Sequence, residues 1–510
     1  MTSFKNTYER PYTKNMKFTF NNLKYSLTIA VAAAFASQMT TAASDNPKRE
    51  FRGAWMHTIF QNQYHDQSTD ENKAYLRDQL DKLKAAGVNA VIFQVRPQSD
   101  AFYQSDIEPW SRFLTDDGKA PDPFWDPLSF MVDEAHKRGM ELHAWLNPYR
   151  VTSSPKQTLP AGHIYHKHPE RFVRYDGKLY FDPALPENRE YIADVVCDIV
   201  SRYDIDGIHF DDYFYPYPAK TDFPDDKSYA RYGNGADRGD WRRKNVDLLI
   251  EDLNGRIKAI KPWVRFGISP FGIWRNKKSD PRGSETDGLQ NYDALYADVL
   301  LWAEKGWVDY LMPQLYWELE HPRASYLVLV DWWDKNASGR PVYVGQDVEK
   351  TMKLPDLAPS NNPTQLDHKI ALTRKAKNIE GNCWWPAYSV TRNSHGVADS
   401  LATNRQSTPA LVPVYPWLDS DGPESVTSVK ADGRRLTWKA PALRNISSDA
   451  VRFVIYRFDN DNVFDLEDSD NIVAVTGENS YVVTKPGYYI VTALDRVNNE
   501  STPSEPVKIK

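Results

Sequence analysis

Short apolar runs alternate with amphipathic stretches along most of the chain, eight times between residue 51 and about residue 402. Each run has the length of a buried strand, and each is followed by a segment with helical spacing of apolar residues. The predicted strands are 51–56, 89–95, 140–146, 207–211, 264–269, 309–316, 341–346 and 381–386. Eight strand–helix units predict an α/β fold, a (β/α)8 TIM barrel. A doubly wound open sheet is the competing interpretation, and the lack of a glycine-rich loop after the first strand disfavours it.

Helix-start residues support this assignment. Ser68 and Glu71 have the spacing of a capping box, and Asp126 followed by Pro127 is typical of a helix start. Later helices are predicted at about 187–202, 293–305, 322–336, 365–378 and 395–402.

Connection lengths differ between the two ends of the predicted barrel. Helix-to-strand connections are short, whereas long strand-to-helix segments lie at 96–125, 147–186, 212–240, 270–292 and 347–364. In barrels of this kind the long loops after the strands carry the chemistry. We therefore expect the functional residues at the carboxyl ends of the strands.

Residues 1–43 have the pattern of a signal peptide. Five basic residues precede a short apolar run at 27–36, and small residues follow at 41–43. The run is too short to span a membrane, so we expect an exported protein, either periplasmic, on the outer surface of a bacterial cell, or secreted.

The sequence pattern changes after the predicted barrel, which we place at 48–405. Residues 406–421 are rich in proline and serine and predict a linker or a wrap along the barrel. Residues 422–510 contain short alternating strands without helix signals, which predict a seven-strand β-sandwich. The strings LTWKAP, IYRF and TALDRVNNES resemble a fibronectin type III domain.

Composition narrows the possible partners. A net charge of −6 provides no basic field for nucleic acid. The 16 tryptophans and 29 tyrosines indicate either an aromatic-rich core or a surface that stacks sugar rings, and the counts alone favour neither. No phosphate loop and no zinc-type spacing is present, so we expect no cofactor and no metal. His57, His143 and His209 on three strands leave a histidine metal site as the alternative. We expect a monomer.

The strongest chemical signal is the pair Asp211 and Asp212 at the end of the fourth predicted strand. Adjacent carboxylates are costly to bury, because like charges repel and lose hydration. Glycosidic cleavage uses such groups, one as proton donor and one as carboxylate partner. If the strand ends at Asp211, both can reach a substrate, whereas a longer strand would point Asp211 into the barrel mouth and Asp212 towards the following loop. A purely structural cap is the alternative. Along a strand, His209 shares the face of Asp211, and Tyr213 follows the pair.

Other strand ends supply candidate binding groups. After strands two and three these are Arg96, Asp100, Tyr103, Glu108, His143, Trp145, Asn147, Tyr149 and Arg150. After the later strands they are Ser269, Trp274, Arg275, Gln314, Tyr316, Trp317 and Trp385. Glu318 is the candidate acid partner of the aspartates. For Arg96 a structural salt bridge is an equally good interpretation, and Trp145 also suits barrel packing.

Seven segments in order resemble one known family. They are FRGAWM, FQVRPQSDAFY with EPWS, HAWLNPYR, FDPALPENREY, YDIDGIHFDDYFYP, GISPFGIWRN and MPQLYW. Together they cover about residues 48–405 and are similar to glycosyl-hydrolase-like family 10. The resemblance implies a TIM-barrel glycoside hydrolase of bacterial envelopes that cuts peptidoglycan strands lacking stem peptides. It also implies a catalytic carboxylate at Asp211, with Asp212 beside it.

Two alternatives remain open. Stacking aromatics suit a dietary or host polysaccharide equally well, and a catalytically silent barrel could bind glycan for adhesion. For an acetamido sugar, an aspartate pair also fits a route in which the substrate's own acetamido group is the nucleophile.

Overall fold

The computed structural model describes residues 46–357 and 362–510, so the predicted signal peptide at 1–43 lies outside the described residues. Eight parallel strands close into a barrel in which each strand pairs with its neighbours in chain order and the last pairs with the first. The strands are β1 (Phe51–Met56), β2 (Ala90–Arg96), β3 (Glu141–Leu146), β4 (Gly207–Phe210), β5 (Arg265–Ile268), β6 (Tyr310–Leu311), β7 (Val342–Asp347) and β8 (Ile379–Trp385). The predicted TIM barrel is confirmed.

Closure and strand length follow from local sequence. Phe51 pairs with Gly381 and Ala54 with Trp384, which joins β1 to β8. β6 is shorter than the predicted 309–316, because Pro313 has no N–H to donate to a neighbouring strand.

Helices surround the barrel where the caps predict them. Ser68 Oγ accepts from the Glu71 N–H, and a Glu71 carboxylate oxygen accepts from the Ser68 N–H at 2.9 Å. The Asp126 carboxylate accepts from the Leu128 N–H at 3.0 Å. The α-helices are Gln63–Asp66, Thr69–Ala85, Pro127–Lys137, Pro186–Arg202, Asp226–Tyr232, Arg238–Ile260, Asn291–Ala294, Val299–Glu304, Tyr326–Lys335, Val348–Lys353, Gln365–Lys375, Ala387–Thr391 and Val397–Thr403. Among residues 46–357 and 362–510, none of these helices is long and apolar enough to cross a membrane.

Three of the predicted long loops contain structure of their own. A hairpin of Phe172–Tyr175 and Lys178–Phe181 lies within 147–186. Short helices Asp226–Tyr232 and Val348–Lys353 lie within 212–240 and 347–364. These elements are too short to show a clear hydrophobic period, so the sequence pattern does not predict them.

The C-terminal residues form two antiparallel sheets of three and four strands. In chain order the strands are β9 (Thr427–Asp432), β10 (Arg435–Lys439), β11 (Arg452–Phe458), β12 (Ile472–Thr476), β13 (Ser480–Val482), β14 (Gly487–Leu494) and β15 (Val507–Ile509). One hydrophobic cluster, with Leu436 and Trp438 from one sheet and Phe453 and Val491 from the other, lies between them. The all-β sandwich is present, whereas its fibronectin type III character stays a prediction.

The four-stranded sheet lies against the amino-terminal end of the barrel. Arg452 of β11 donates to Asp206 at 3.1 Å and to Glu141 at 3.3 Å. Residues 406–421 run across the same end, where Leu411 accepts from the Glu50 N–H at 2.9 Å and Trp417 Nε1 donates to Asp309 at 3.0 Å. The segment therefore packs along the barrel. The predicted domain boundaries stay predictions.

Candidate active site

Asp211 and Asp212 follow directly after the last residue of β4. Because the strand ends at Phe210, both side chains line one cavity at the carboxyl end of the barrel. They are only 4% and 2% exposed. The cavity measures about 190 Å³, and its other lining residues are Trp55, Trp145, Tyr213, Tyr217, Ser269, Gln314, Tyr316 and Trp385.

Asp211 is held by N–H donors. Trp145 Nε1 donates to Asp211 Oδ2 at 3.2 Å, and Asn147 Nδ2 donates to Asp211 Oδ1 at 3.0 Å. Burial raises the pKa of Asp211, while the charge of Arg150 and these hydrogen bonds oppose the rise. The donors favour the ionised form of this carboxyl.

Asp212 has different neighbours. Its Oδ2 accepts a hydrogen bond from the Tyr217 hydroxyl. Burial and then the charge of Asp211 raise the pKa of Asp212 to about 7. The negative charge of Asp211 and the burial of the site both favour the protonated form of Asp212, whereas several N–H donors favour the ionised form of Asp211.

Arg96 and Glu108 position the loop after β3. Arg96 forms a two-pronged ion pair with Glu108 at 2.7 and 2.6 Å, and Arg96 Nη1 donates to the Asn147 carbonyl at 2.6 Å. Arg96 is completely buried. This pair supports Asn147, which in turn holds Asp211.

A chain of hydrogen bonds lies beneath the cavity. Trp55 Nε1 donates to His209 Nε2 at 3.2 Å, and the Tyr310 hydroxyl joins His209 Nδ1 at 3.0 Å to His143 Nδ1 at 2.8 Å. His143 Nε2 then reaches Glu141 at 3.1 Å. Because tryptophan only donates and an ionised Glu141 only accepts, every proton in this chain points from Trp55 towards Glu141. Burial lowers the pKa of both histidines, which keeps them neutral.

Comparisons with known proteins identify the family. A sequence model described as glycosyl hydrolase-like 10 matches residues 50–359. The chain belongs to this family. It is 38% identical over 509 residues to the glycosyl hydrolase YngK of Bacillus subtilis (strain 168), covering 96% of this chain and 99% of that one. It is 45% identical over 270 residues to the glycosyl hydrolase DigH of Escherichia coli (strain K12), covering 50% and 61%.

Among solved structures, the PgaB (BpsB) glycoside hydrolase domain from Bordetella bronchiseptica aligns with a TM-score of 0.48 and 13% identity, over 69% of this chain and 98% of that one. Family membership and the two curated relatives make this glycosyl hydrolase-like 10 protein a glycoside hydrolase.

The cavity of this glycosyl hydrolase-like 10 protein gathers part of the predicted site. Eight predicted residues line it: Asp211, Asp212, Trp145, Tyr213, Ser269, Gln314, Tyr316 and Trp385. Asn147 and Arg150 adjoin it, since Asn147 binds Asp211 and the Arg150 guanidinium lies 4.9 Å from the Tyr213 ring.

The other predicted residues lie away from the described lining, and most of them have other partners. Arg96 and Glu108 pair with each other, and His143 and His209 lie beneath the cavity. Asp100 accepts from Ser111 Oγ at 2.9 Å, and Tyr103 and Tyr149 are buried. Trp274 stacks on Trp332, Arg275 pairs with Asp280 and Asp293, and Trp317 packs against Phe271. Glu318, the predicted acid partner, is likewise not among the described lining residues.

Sequence reasoning missed two lining residues of the glycosyl hydrolase-like 10 protein. Trp55 lies in β1 and Tyr217 in the aromatic string after Asp212. Tyr217 follows the aspartate pair closely enough to have been a candidate, whereas nothing local distinguishes Trp55 from core packing. His57 bonds Gln61 at 2.6 Å, and in residues 46–357 and 362–510 no cluster of three His, Cys, Asp or Glu side chains is placed to hold a metal.

Proposed function

We propose that this glycoside hydrolase cleaves O-glycosidic bonds in bacterial cell-wall glycan, namely peptidoglycan strands that lack stem peptides. One observation carries the catalytic part of the proposal: two adjacent buried carboxyls with different partners share a cavity lined by aromatic rings. The substrate is the one that the family resemblance implies. The leader-like composition of residues 1–43 supports action outside the cytoplasm.

Asp212 is the general acid of the proposed reaction. Its pKa, raised to about 7, leaves a substantial fraction of the carboxyl protonated up to neutral pH, and that proton passes to the leaving glycosidic oxygen. Activity therefore falls as the pH rises above about 7, because the acid loses its proton.

Asp211 is the carboxylate that acts on the other reacting group. Its N–H donors Trp145 and Asn147 fix its direction and favour its ionised form. We propose that it orients the 2-acetamido group, whose carbonyl oxygen attacks the anomeric carbon while the bond to the leaving oxygen breaks. Water then opens the cyclic intermediate, with the carboxylate form of Asp212 accepting the water's proton.

The aromatic lining supports a sugar ligand. The rings of Trp145 and Trp385 lie 6.2 Å apart, centroid to centroid, at 77° to each other. Such rings offer apolar faces to the C–H face of a pyranose, while Gln314 and Ser269 offer hydrogen-bonding groups.

Product analysis by mass spectrometry tests the proposal. The wild type and the Asp211→Asn and Asp212→Asn variants are incubated with intact peptidoglycan, amidase-stripped peptidoglycan and chitin oligomers. We expect soluble sugars from the stripped strands with the wild type and not with either variant. Products from chitin alone would overturn the cell-wall substrate. Unchanged products from both variants would overturn the catalytic assignment, and activity unaffected by a thiazoline inhibitor would overturn the acetamido route.

A further inference from the structure

Phe60 is a large apolar residue displayed to solvent in a strained backbone conformation. Its side chain is 65% exposed, and its φ of 62° lies in the left-handed region that bulky residues avoid. Strain of this kind persists where surrounding contacts hold it, and it concentrates at ligand-binding positions.

Hydrogen bonds to Gln94 of β2 anchor the loop that carries Phe60. The side-chain oxygen of Gln94 in β2 accepts from the Thr58 N–H at 3.1 Å and from the Ile59 N–H at 3.0 Å. The ring of Phe113 packs edge-on against Phe60, with the centroids 5.8 Å apart. The backbone just before Phe60 is therefore anchored to β2, and one side of the Phe60 ring rests against Phe113.

Phe60 borders a second cavity, of about 470 Å³, which we name the Phe60 cavity. Its walls come from the loops after β1, β2 and β3, at the same end of the barrel as the aspartate pair. Phe60 supplies an exposed apolar face, while the buried Phe113 ring lies beneath the Arg112 guanidinium at 4.7 Å. Asn62, Arg112, Asp116 and Thr158 supply polar groups beside Phe60. An aromatic face with such polar groups at its edge suits a sugar ring with its hydroxyls.

A run of aromatic rings extends from the aspartates to the start of the loop that carries Phe60. Trp145 donates to Asp211 and packs against Trp385, and the ring of Trp385 lies 4.9 Å from that of His57. Phe60 follows His57 by three residues, a length of chain that spans at most about 11 Å. Phe60 therefore lies within a short length of chain of the aromatic rings beside the aspartates.

We propose that the Phe60 cavity is a second sugar-binding subsite, in which Phe60 stacks on a pyranose of the same glycan several units from the cleaved bond. The inference rests on the proposed glycan hydrolysis at Asp211 and Asp212. It makes the enzyme selective for strand length, since only strands that reach Phe60 gain the additional contact.

The test compares Phe60→Ala with Phe124→Ala. Phe124 is 58% exposed and packs edge-on against Trp110, but it is not among the described residues that line the Phe60 cavity. The substrates are amidase-stripped peptidoglycan strands fractionated by length. For long strands we expect Phe60→Ala to raise KM about three- to tenfold with kcat retained, the loss of one aromatic stack. The shortest cleaved strands should be unaffected, Phe60→Tyr should keep the wild-type KM, and Phe124→Ala should change nothing.

Calorimetric binding of the same strands, measured in the Asp212→Asn background, separates the two proposals. If the wild type cleaves no strand but binding still weakens with Phe60→Ala, the subsite holds and the proposed hydrolysis fails. If the wild type cleaves the strands and Phe60→Ala leaves KM and affinity unchanged at every length, the subsite is overturned. If the strands neither bind nor react, both proposals are overturned.

Discussion

The two ends of the barrel each bury a pair of carboxyls, and they surround them with different partners. At the carboxyl end, Asp211 and Asp212 have amide, indole and phenol donors, and burial raises the pKa of both. At the amino end, Glu141 forms an ion pair with Arg265 at 2.6 Å, and Asp206 accepts from His136 at 2.8 Å. Arg452 from the sandwich contacts both of these carboxyls.

The pKa of each buried carboxyl depends on which groups it contacts. Burial alone would raise the pKa of Glu141, but the charge of Arg265, with His143 and Arg452, holds it at about 2. The same competition holds the pKa of Asp206 well below its ordinary range. Burial is common to both ends, so the cations decide the outcome. A buried carboxyl in direct ion pairs ties elements together, and one held by neutral hydrogen-bond donors remains able to exchange a proton.

The largest expected effect is on activity at the carboxyl end. Asp212→Asn removes the proton donor, and we expect a loss of about 10²- to 10⁴-fold in kcat. Stability at neutral pH should be equal or higher, because the variant no longer buries a group that tends to ionise. Product release from stripped strands and urea unfolding of the same preparations measure the two quantities. A variant that loses stability together with activity would contradict the comparison.

At the amino end of the barrel, Arg452→Met should lower stability. It leaves Glu141 and Asp206 with one cation fewer in a buried network, and we expect a loss of about 3–5 kcal/mol in the free energy of unfolding. Arg444→Met is the matched control on the same sandwich, because Arg444 pairs with Glu424 and both are exposed. The control should cost about 0–1 kcal/mol. Equal losses in the two variants, measured by urea unfolding, would show that Arg452 is not an anchor.

The same contrast explains what the sequence could predict. Strands, caps and the aspartate pair depend on residues near each other in the chain, so local pattern predicts the barrel and places Asp211 and Asp212 at its mouth. Arg452 and Glu141 are 311 residues apart, and no local pattern links them. Arg96 and Glu108 resemble ligand-binding residues in the sequence because their mutual pairing exists only after the loop folds. Trp55 resembles an ordinary core residue until barrel closure directs it into the cavity.

Tyr310→Phe tests the series of hydrogen bonds that runs from Trp55 at the cavity to Glu141 at the amino end of the barrel. The Tyr310 hydroxyl lies between His209 and His143, so its loss leaves a donor and an acceptor unpaired in the interior. We expect a stability loss of about 1–3 kcal/mol. If this series of hydrogen bonds also fixes the orientation of the Trp55 ring, KM should rise while kcat stays near the wild-type value. Trp55 lines the cavity but carries no reacting proton. Tyr326→Phe is the control, because the Tyr326 hydroxyl is also buried but does not belong to this series of hydrogen bonds. A change in kcat with unchanged KM would contradict this positioning role.

The smallest expected effect, counted per pH unit, is the change in the free energy of unfolding with pH. The carboxyls at the two ends of the barrel should change this free energy in opposite directions. Asp212 has a folded pKa of about 7 against an ordinary 3.8, so its contribution is complete below 3.8 and is lost as the pH rises through about 7. Glu141 has a folded pKa of about 2 against an ordinary 4.5, so its contribution is present above 4.5 and is lost as the pH falls towards about 2. Each slope is at most about 1.4 kcal/mol per pH unit. Urea unfolding between about pH 2 and pH 7 should show a smaller loss of stability with rising pH in Asp212→Asn and a smaller loss with falling pH in Glu141→Gln. If each variant instead showed the pH dependence expected of the other, the cations would not be what separates the carboxyl pKa values at the two ends of the barrel.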